Sequence, residues 1–145
     1  MKIRAVIVED SRLARNELKE LIKLHDDLEL VGEAGNVDDG VELIQSESPD
    51  LLLLDINMPG IDGIELCALV RAMPAYRKTP IIMLTARAEK DYIDRAFKAG
   101  ATDYANKPFD IVELGARLRM AQEVVVARQE AAAAISTLDA HRPKV

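Results

Sequence analysis

Glu9 and Asp10 follow the aliphatic run "IRAVIV", Asp55 ends the run "LLLLD", Thr85 follows "PIIML", and Lys107-Pro108 follows "ATDYAN". Each reactive side chain stands just after an apolar stretch. Brought together, three carboxylates repel one another and call for a cation. A hard ion with oxygen ligands, Mg2+ above all, suits two or three carboxylates, a backbone carbonyl from the following loop, waters and a phosphate oxygen. Asp55 beside such an ion keeps one oxygen to attack phosphorus and form an acyl phosphate. Mg2+, the Lys107 ammonium and the Thr85 hydroxyl would then balance the equatorial oxygens of the transferring group from three sides. Lysine suits this as a compact charge on a long stem reaching from an edge strand.

The elements that must position these groups are five short aliphatic runs, at 3–8, 28–34, 51–55, 80–84 and 101–105. The first, third and fourth are nearly continuous in apolar character, as strands buried on both faces are, while the second and fifth are mixed and suit sheet edges. Helical spacing separates them: Leu13, Asn16/Glu17, Leu21 and Leu24; Val41 and Ile44; Ile64, Cys67 and Val70; Tyr92, Ala96 and Ala99. Asn36 with Asp39 opens the second helix, Pro74 closes the third, Gly100 follows the fourth, and a fifth begins after Asp110. Strict alternation of strand and helix implies right-handed crossovers and a parallel sheet covered on both sides. With the second strand at an edge and the first beside the third, the order is 2-1-3-4-5. That is a flavodoxin-like (βα)5 three-layer sandwich, whose ligands gather beyond the carboxyl ends of the strands, at the switch point. There the three acids meet.

Composition limits the alternatives. At 145 residues there is room for one domain and an appendage, and 49% apolar residues exclude disorder over most of the length. A net charge of −6 has the wrong sign for broad attraction to nucleic acid or anionic membrane. Cys67 is the only cysteine, so no internal disulfide forms and no zinc ligand set exists. No run approaches the length of a membrane span, and the opening residues lack a secretory h-region; a cytoplasmic location is expected.

The motifs "VIVED", "LLLLDINMPGIDG", "PIIMLTA" and "GATDYANKPF", in this order over residues 1–122, resemble the receiver domain of two-component response regulators. The resemblance implies Asp55 as phosphoacceptor, Glu9 and Asp10 as the acidic Mg2+ pair, and the Asn57 carbonyl as a further ligand. It further implies Thr85 as switch hydroxyl, Tyr104 as switch aromatic, Lys107 as the phosphate-binding lysine, and a cis Lys107-Pro108 bond. A histidine kinase or phosphotransfer protein would donate the phosphoryl group and a downstream protein would read it, the chain catalysing only its own phosphorylation and dephosphorylation. Asn57 and Arg87 resemble positions that tune dephosphorylation. Two departures are Glu9, where many members carry Asp, and "AN" between Tyr104 and Lys107 in place of an apolar pair.

Taken singly, each residue has a plainer role. Asp10 or Ser11 is a ready helix N-cap, Asp55 an Asx-turn acid before Pro59-Gly60, and Thr85 a cap lacking Glu or Gln three residues on, where Ala88 stands. Lys107 alone reads as a solvated lysine, and four such accidents at four strand ends are what the functional reading replaces. Met58, Met73 and Met83 read as packing residues, Cys67 as a small core hydrophobe, and "HDD" at 25–27 as a solvated turn.

Beyond the receiver-like part, residues 123–138 read as a helical extension and 139–145 as a flexible tail. Leu114, Leu118, Ala121, Val125, Arg128, Ala132 and Ile135 recur at alternating spacings of four and three, a heptad-like stripe. It suggests a coiled-coil homodimer, a linker to an output domain such as a diguanylate cyclase, or a lone alanine-rich helix. No helix-turn-helix follows, so direct nucleic-acid binding is not expected. An aspartate-nucleophile phosphatase is a further reading, weakened because Asn57 stands where that chemistry wants a second Asp.

Overall fold

The structure, a computed structural model, describes residues 2–58, 62–86 and 90–140, with the main chain alone at Asp139. Strands β1 (Ile3–Val8), β2 (Leu28–Ala34), β3 (Leu51–Asp55), β4 (Ile81–Thr85) and β5 (Asp103–Asn106) form one parallel sheet in the order β2-β1-β3-β4-β5. Between and after them run α1 (Arg12–Lys23), α2 (Val37–Glu47), α3 (Gly63–Ala72), α4 (Lys90–Lys98) and α5 (Ile111–Ala140). This is the expected flavodoxin-like order.

Alternate strand residues supply two cores, because successive side chains of a strand point to opposite faces. Val6, Val8, Leu52, Leu54, Ile81 and Met83 pack with Ile44 of α2, Cys67 and Val70 of α3 and Ala96 of α4. Ile3, Ala5, Ile7, Leu51, Leu53, Ile82 and Leu84 pack with Leu18 and Leu21 of α1 and with Leu114, Leu118, Ala121 and Val125 of α5. The central strands are therefore apolar on both faces, and β3 is buried throughout.

Local signals place the helix ends. Ser11 caps α1 by accepting from the Ala14 N–H, Asn36 caps α2 by accepting from Asp39, and Asp62 caps α3 by accepting from Glu65. Gly100 has φ +109°, which lets the chain turn out of α4 where a side chain would strain the backbone. Met58, Met83 and Cys67 are buried, as expected of packing residues.

Two expectations need correction. In α1 the buried face is Ala14, Leu18, Leu21 and Ile22, whereas Leu13 is 71% and Leu24 64% exposed. The Ser11 cap sets the phase, and 14, 18, 21 and 22 are the positions that one helical face then presents. The fifth strand begins at Asp103 rather than 101: the Ala101 N–H donates to Ala96 at the end of α4, and the Thr102 hydroxyl accepts from the Ile81 N–H, so both residues serve the entry to the sheet. The segment 25–27 is a solvated turn as expected, with Asp26 and Asp27 exposed, and it is tethered all the same. The Asp27 carbonyl accepts from the Ile3 N–H, and its carboxylate accepts from the Gln122 side chain, fastening the α1–β2 turn to α5.

α5 is one helix of 30 residues. Val125 is its last buried residue, and the Arg128 guanidinium donates to the Lys78 carbonyl at 2.7 Å. The tail beyond Ala140 lies outside the described residues, as do Pro59, Gly60, Arg87 and Ala88. Among the described residues no helix is long and apolar enough to cross a membrane.

Candidate functional site

β1 and β3 are neighbours, so the acids that follow or end them converge. Ligand oxygens of Glu9, Asp10 and Asp55 lie within 4.8 Å of one another. Glu9 and Asp55 are buried, at 0% and 1% exposure, while Asp10 is exposed. A cluster open on one side results.

Lys107 reaches into the cluster from the end of β5. Its Nζ lies 2.7 Å from Glu9 Oε1 and 3.3 Å from Asp55 Oδ1. The Lys107-Pro108 bond is cis, as the resemblance implied. Main-chain donors hold the same carboxylate oxygens: Ser11 N–H to Glu9 Oε1 at 3.2 Å, and Asn57 N–H to Asp55 Oδ1 at 3.1 Å. Each acid is thus fixed by one oxygen. The other oxygens, Glu9 Oε2 and Asp55 Oδ2, are buried and have no hydrogen-bond partner among the described residues.

Buried carboxylate oxygens without partners are costly, and native structures rarely leave them so. Burial, the neighbouring Asp10 carboxyl and repulsion from Glu9 push the Asp55 carboxyl up to about 7, against the pull of Lys107 and the Asn57 N–H. For Lys107, burial works against the ammonium, yet pairing with Glu9 and Asp55 outweighs it and raises the pKa above its ordinary value. One lysine paired with two of the three acids leaves negative charge in excess. The donor set is all oxygen and partly orphaned, which fits a hard divalent cation held by Glu9, Asp10 and Asp55.

Thr85 is fully buried at the end of β4, in register with Asn106, and its carbonyl accepts from the Lys107 N–H at 2.8 Å. Tyr104 stands apart from the acidic cluster. Its ring meets Phe97 edge to face at 6.2 Å between centroids, and the Arg117 guanidinium lies 5.2 Å over it. Arg117 is itself anchored by Asp103 at 2.7 Å and Glu113 at 3.4 Å.

Two supporting residues escaped the sequence reading. The Arg15 side chain donates to the Glu9 carbonyl at 2.6 Å and the Asp10 carbonyl at 3.3 Å, clamping the acidic loop from α1. A Cβ on Gly63 would lie 1.8 Å from the Asp55 carbonyl oxygen. Only glycine lets α3 start against the backbone of that acid. Asp62 caps the start of α3, and no local pattern in the sequence signals the contact.

Residues 5–119 match the response regulator receiver domain family, and the chain belongs to that family. Among curated proteins it is 40% identical over 111 residues to the transcriptional regulatory protein PdtaR of Mycobacterium tuberculosis, covering 77% of this chain and 52% of that protein. The chain thus spans about half the length of that relative. Among solved structures, a putative response regulator from Chloroflexus aurantiacus superposes with a TM-score of 0.78 at 31% identity, covering 87% of this chain and 99% of that one. The signal receiver domain of a modulated diguanylate cyclase from Desulfovibrio desulfuricans follows at 0.75 and 26% identity, covering 88% and 99%.

Proposed function

We propose that this receiver domain is a phosphorylation-dependent signalling switch in which Asp55 accepts a phosphoryl group with Mg2+ bound at Glu9, Asp10, Asp55 and the Asn57 carbonyl. The observation that carries this is the pair of buried, unpartnered oxygens on Glu9 and Asp55, aimed into a cluster that Lys107 only half neutralises. Mg2+, when bound, supplies charge compensation to the carboxylates and to the transferring oxygens. It also favours the ionised form of Asp55, which a pKa near 7 would otherwise leave partly protonated and unable to attack.

The Asp55 oxygen attacks phosphorus, an O–P bond forms, and the bond from phosphorus to the donor nitrogen of a kinase or phosphotransfer histidine breaks. Lys107 stabilises the transferring oxygens from its side. Thr85 offers its hydroxyl to the phosphoryl group, and Tyr104 responds by repacking between α4, β5 and α5. A local charge event thus biases a two-state element. The output is an altered protein contact, to a downstream protein or to a second copy, and the setting is the cytoplasm. The receiver part ends near residue 122, and the helix beyond it is an extension.

A second reading keeps this switch but sets it in a longer regulator, such as a diguanylate cyclase. It is supported by the 30-residue α5 and by the likeness to the receiver of such an enzyme. Replacing Asp55 with Asn abolishes Mg2+-dependent phosphoryl labelling under the proposal; persistent stoichiometric labelling refutes it.

A further inference from the structure

The stripe legible along α5 is not the stripe left free. Leu114, Leu118, Ala121 and Val125 are buried against the sheet. Past Val125 about 15 residues, or roughly 22 Å at 1.5 Å each, run on without a buried side chain among the described ones. A bare helix of that length is marginal in water.

A different set of side chains is exposed on the same helix: Met120 at 63%, Val124 at 42% and Leu138 at 71%. With Ala127, Ala131 and Ala134 they recur at steps of four, three, four, three and four, a heptad seam with Val124, Ala131 and Leu138 at a and Met120, Ala127 and Ala134 at d. At 100° per residue this seam lies roughly 130° around the helix from the buried stripe, bordering β5 at Met120, Val124 and Ala127 and exposed at Leu138. A groove of about 340 Å3 between β5 and α5, lined by Thr102, Met120, Val124 and Ala127, continues it upward.

The flanking charges identify the occupant. Glu123 falls at g and Arg128 at e, five residues apart, which is the spacing that pairs g of one helix with e of its partner in a parallel two-stranded coil. Glu123 has no ion pair among the described residues, and Arg128 has only its bond to the Lys78 carbonyl. Arg128 is thus a cation without a carboxylate partner among the described residues. A second copy of this chain supplies that carboxylate twice over, by symmetry.

We infer that two copies of this chain pair in parallel through the α5 seam Met120, Val124, Ala127, Ala131, Ala134 and Leu138, with Glu123 of each copy facing Arg128 of the other. The pairing deepens the output half of the proposed function, and it rests on that reading only for its role as output. The head of the seam is Arg117, at a, which covers Tyr104, so the paired helices begin at the residue that touches the proposed switch aromatic. Asp55 labelling and assembly are read separately, and either can fail alone.

The test is the light-scattering mass of the full chain across a concentration series, for wild type, Glu123→Arg, Arg128→Glu and the double exchange. Both side chains are exposed, and circular dichroism confirms that each variant folds. The wild type is expected to dimerise, each single reversal to weaken the dimer roughly tenfold, and the double exchange to restore it. In parallel, Leu138→Cys is expected to give a disulfide-linked dimer on mild oxidation, Cys67 being buried. A monomer at every concentration, a dimer indifferent to both reversals, or a dimer that Leu138→Cys does not cross-link overturns the inference.

Discussion

The two ends of the sheet treat charge in opposite ways. At the amino ends of β1 and β3 the polar groups are paired with one another. Arg4 meets Glu47 through carboxylate and carbonyl at 2.9 and 2.8 Å, the Asp50 carboxylate accepts from the Arg4 N–H at 3.0 Å, and the Arg4 carbonyl accepts from Asp50 at 2.7 Å. At the carboxyl ends two buried carboxylate oxygens lack partners, and one lysine serves two acids. One end spends its polar groups on holding strands in register, the other keeps them available to something not yet bound. Stability and function therefore respond to mutation at different ends of the same strands.

The strongest way to break this contrast is to remove the lysine. Lys107→Ala takes away the cation that touches the Glu9 and Asp55 carboxylates, and phosphoryl labelling of Asp55 from a small phosphodonor is expected to slow by about 100-fold, the usual loss on deleting one transition-state donor. Single-turnover labelling at saturating Mg2+ measures it. A rate within twofold of wild type would dissociate Lys107 from the chemistry.

Gly63 is where the two kinds of demand meet. An added methyl, 1.8 Å from the Asp55 carbonyl oxygen, must displace backbone rather than a flexible side chain. Gly63→Ala is expected to cost about 3 kcal/mol in urea denaturation, at the upper end of overpacking effects, and to slow labelling as well. Loss of stability with labelling untouched would show that α3 shifts and the acid does not.

How much of this was legible in sequence follows from the range of each signal. Asp55, Glu9, Asp10 and Lys107 could be brought together because strand periodicity and the order 2-1-3-4-5 fix where strand ends lie, whatever the side chains do. The phase of α1 was misread because Leu13 and Leu24 look apolar, while the Ser11 cap decides which face turns inward. Along α5 the visible heptad was spent on the domain as far as Val125, and the free seam, largely alanine, carries too little apolar contrast to stand out. Arg15 on the acidic loop and Arg117 over Tyr104 are contacts between elements, with no local pattern to announce them.

A smaller effect sharpens the contrast through pH. The Asp55 carboxyl has its pKa raised from 3.8 to about 7 by burial, by the neighbouring Asp10 carboxyl and by Glu9. A raised pKa means that the folded state binds the proton more tightly, so this contribution to stability is full below pH 3.8 and is lost as pH rises through 7. Above pH 8 the loss is on the order of 4 kcal/mol. Asp55→Asn removes the titration but sets an amide beside the Lys107 ammonium, so the net gain is expected to be on the order of 2 kcal/mol. In chelator, the variant should melt above wild type at pH 8, and the gap should close toward pH 4. A gap independent of pH would mean that Asp55 is not the strained acid.

The amino end gives the mildest result. Asp50→Ala removes the acceptor of the Arg4 N–H, a bond of 3.0 Å between a strand and the turn before β3. Its loss is expected to cost about 1 kcal/mol, the ordinary worth of one such hydrogen bond. The Arg4–Glu47 pair adds less, both partners being more than one-third exposed and screened by solvent. Labelling of Asp55 in Asp50→Ala should match wild type, because nothing at that end touches the acidic cluster. A variant that lost labelling in proportion to stability would show the sheet transmitting strain along its strands, and the division between the two ends would no longer hold.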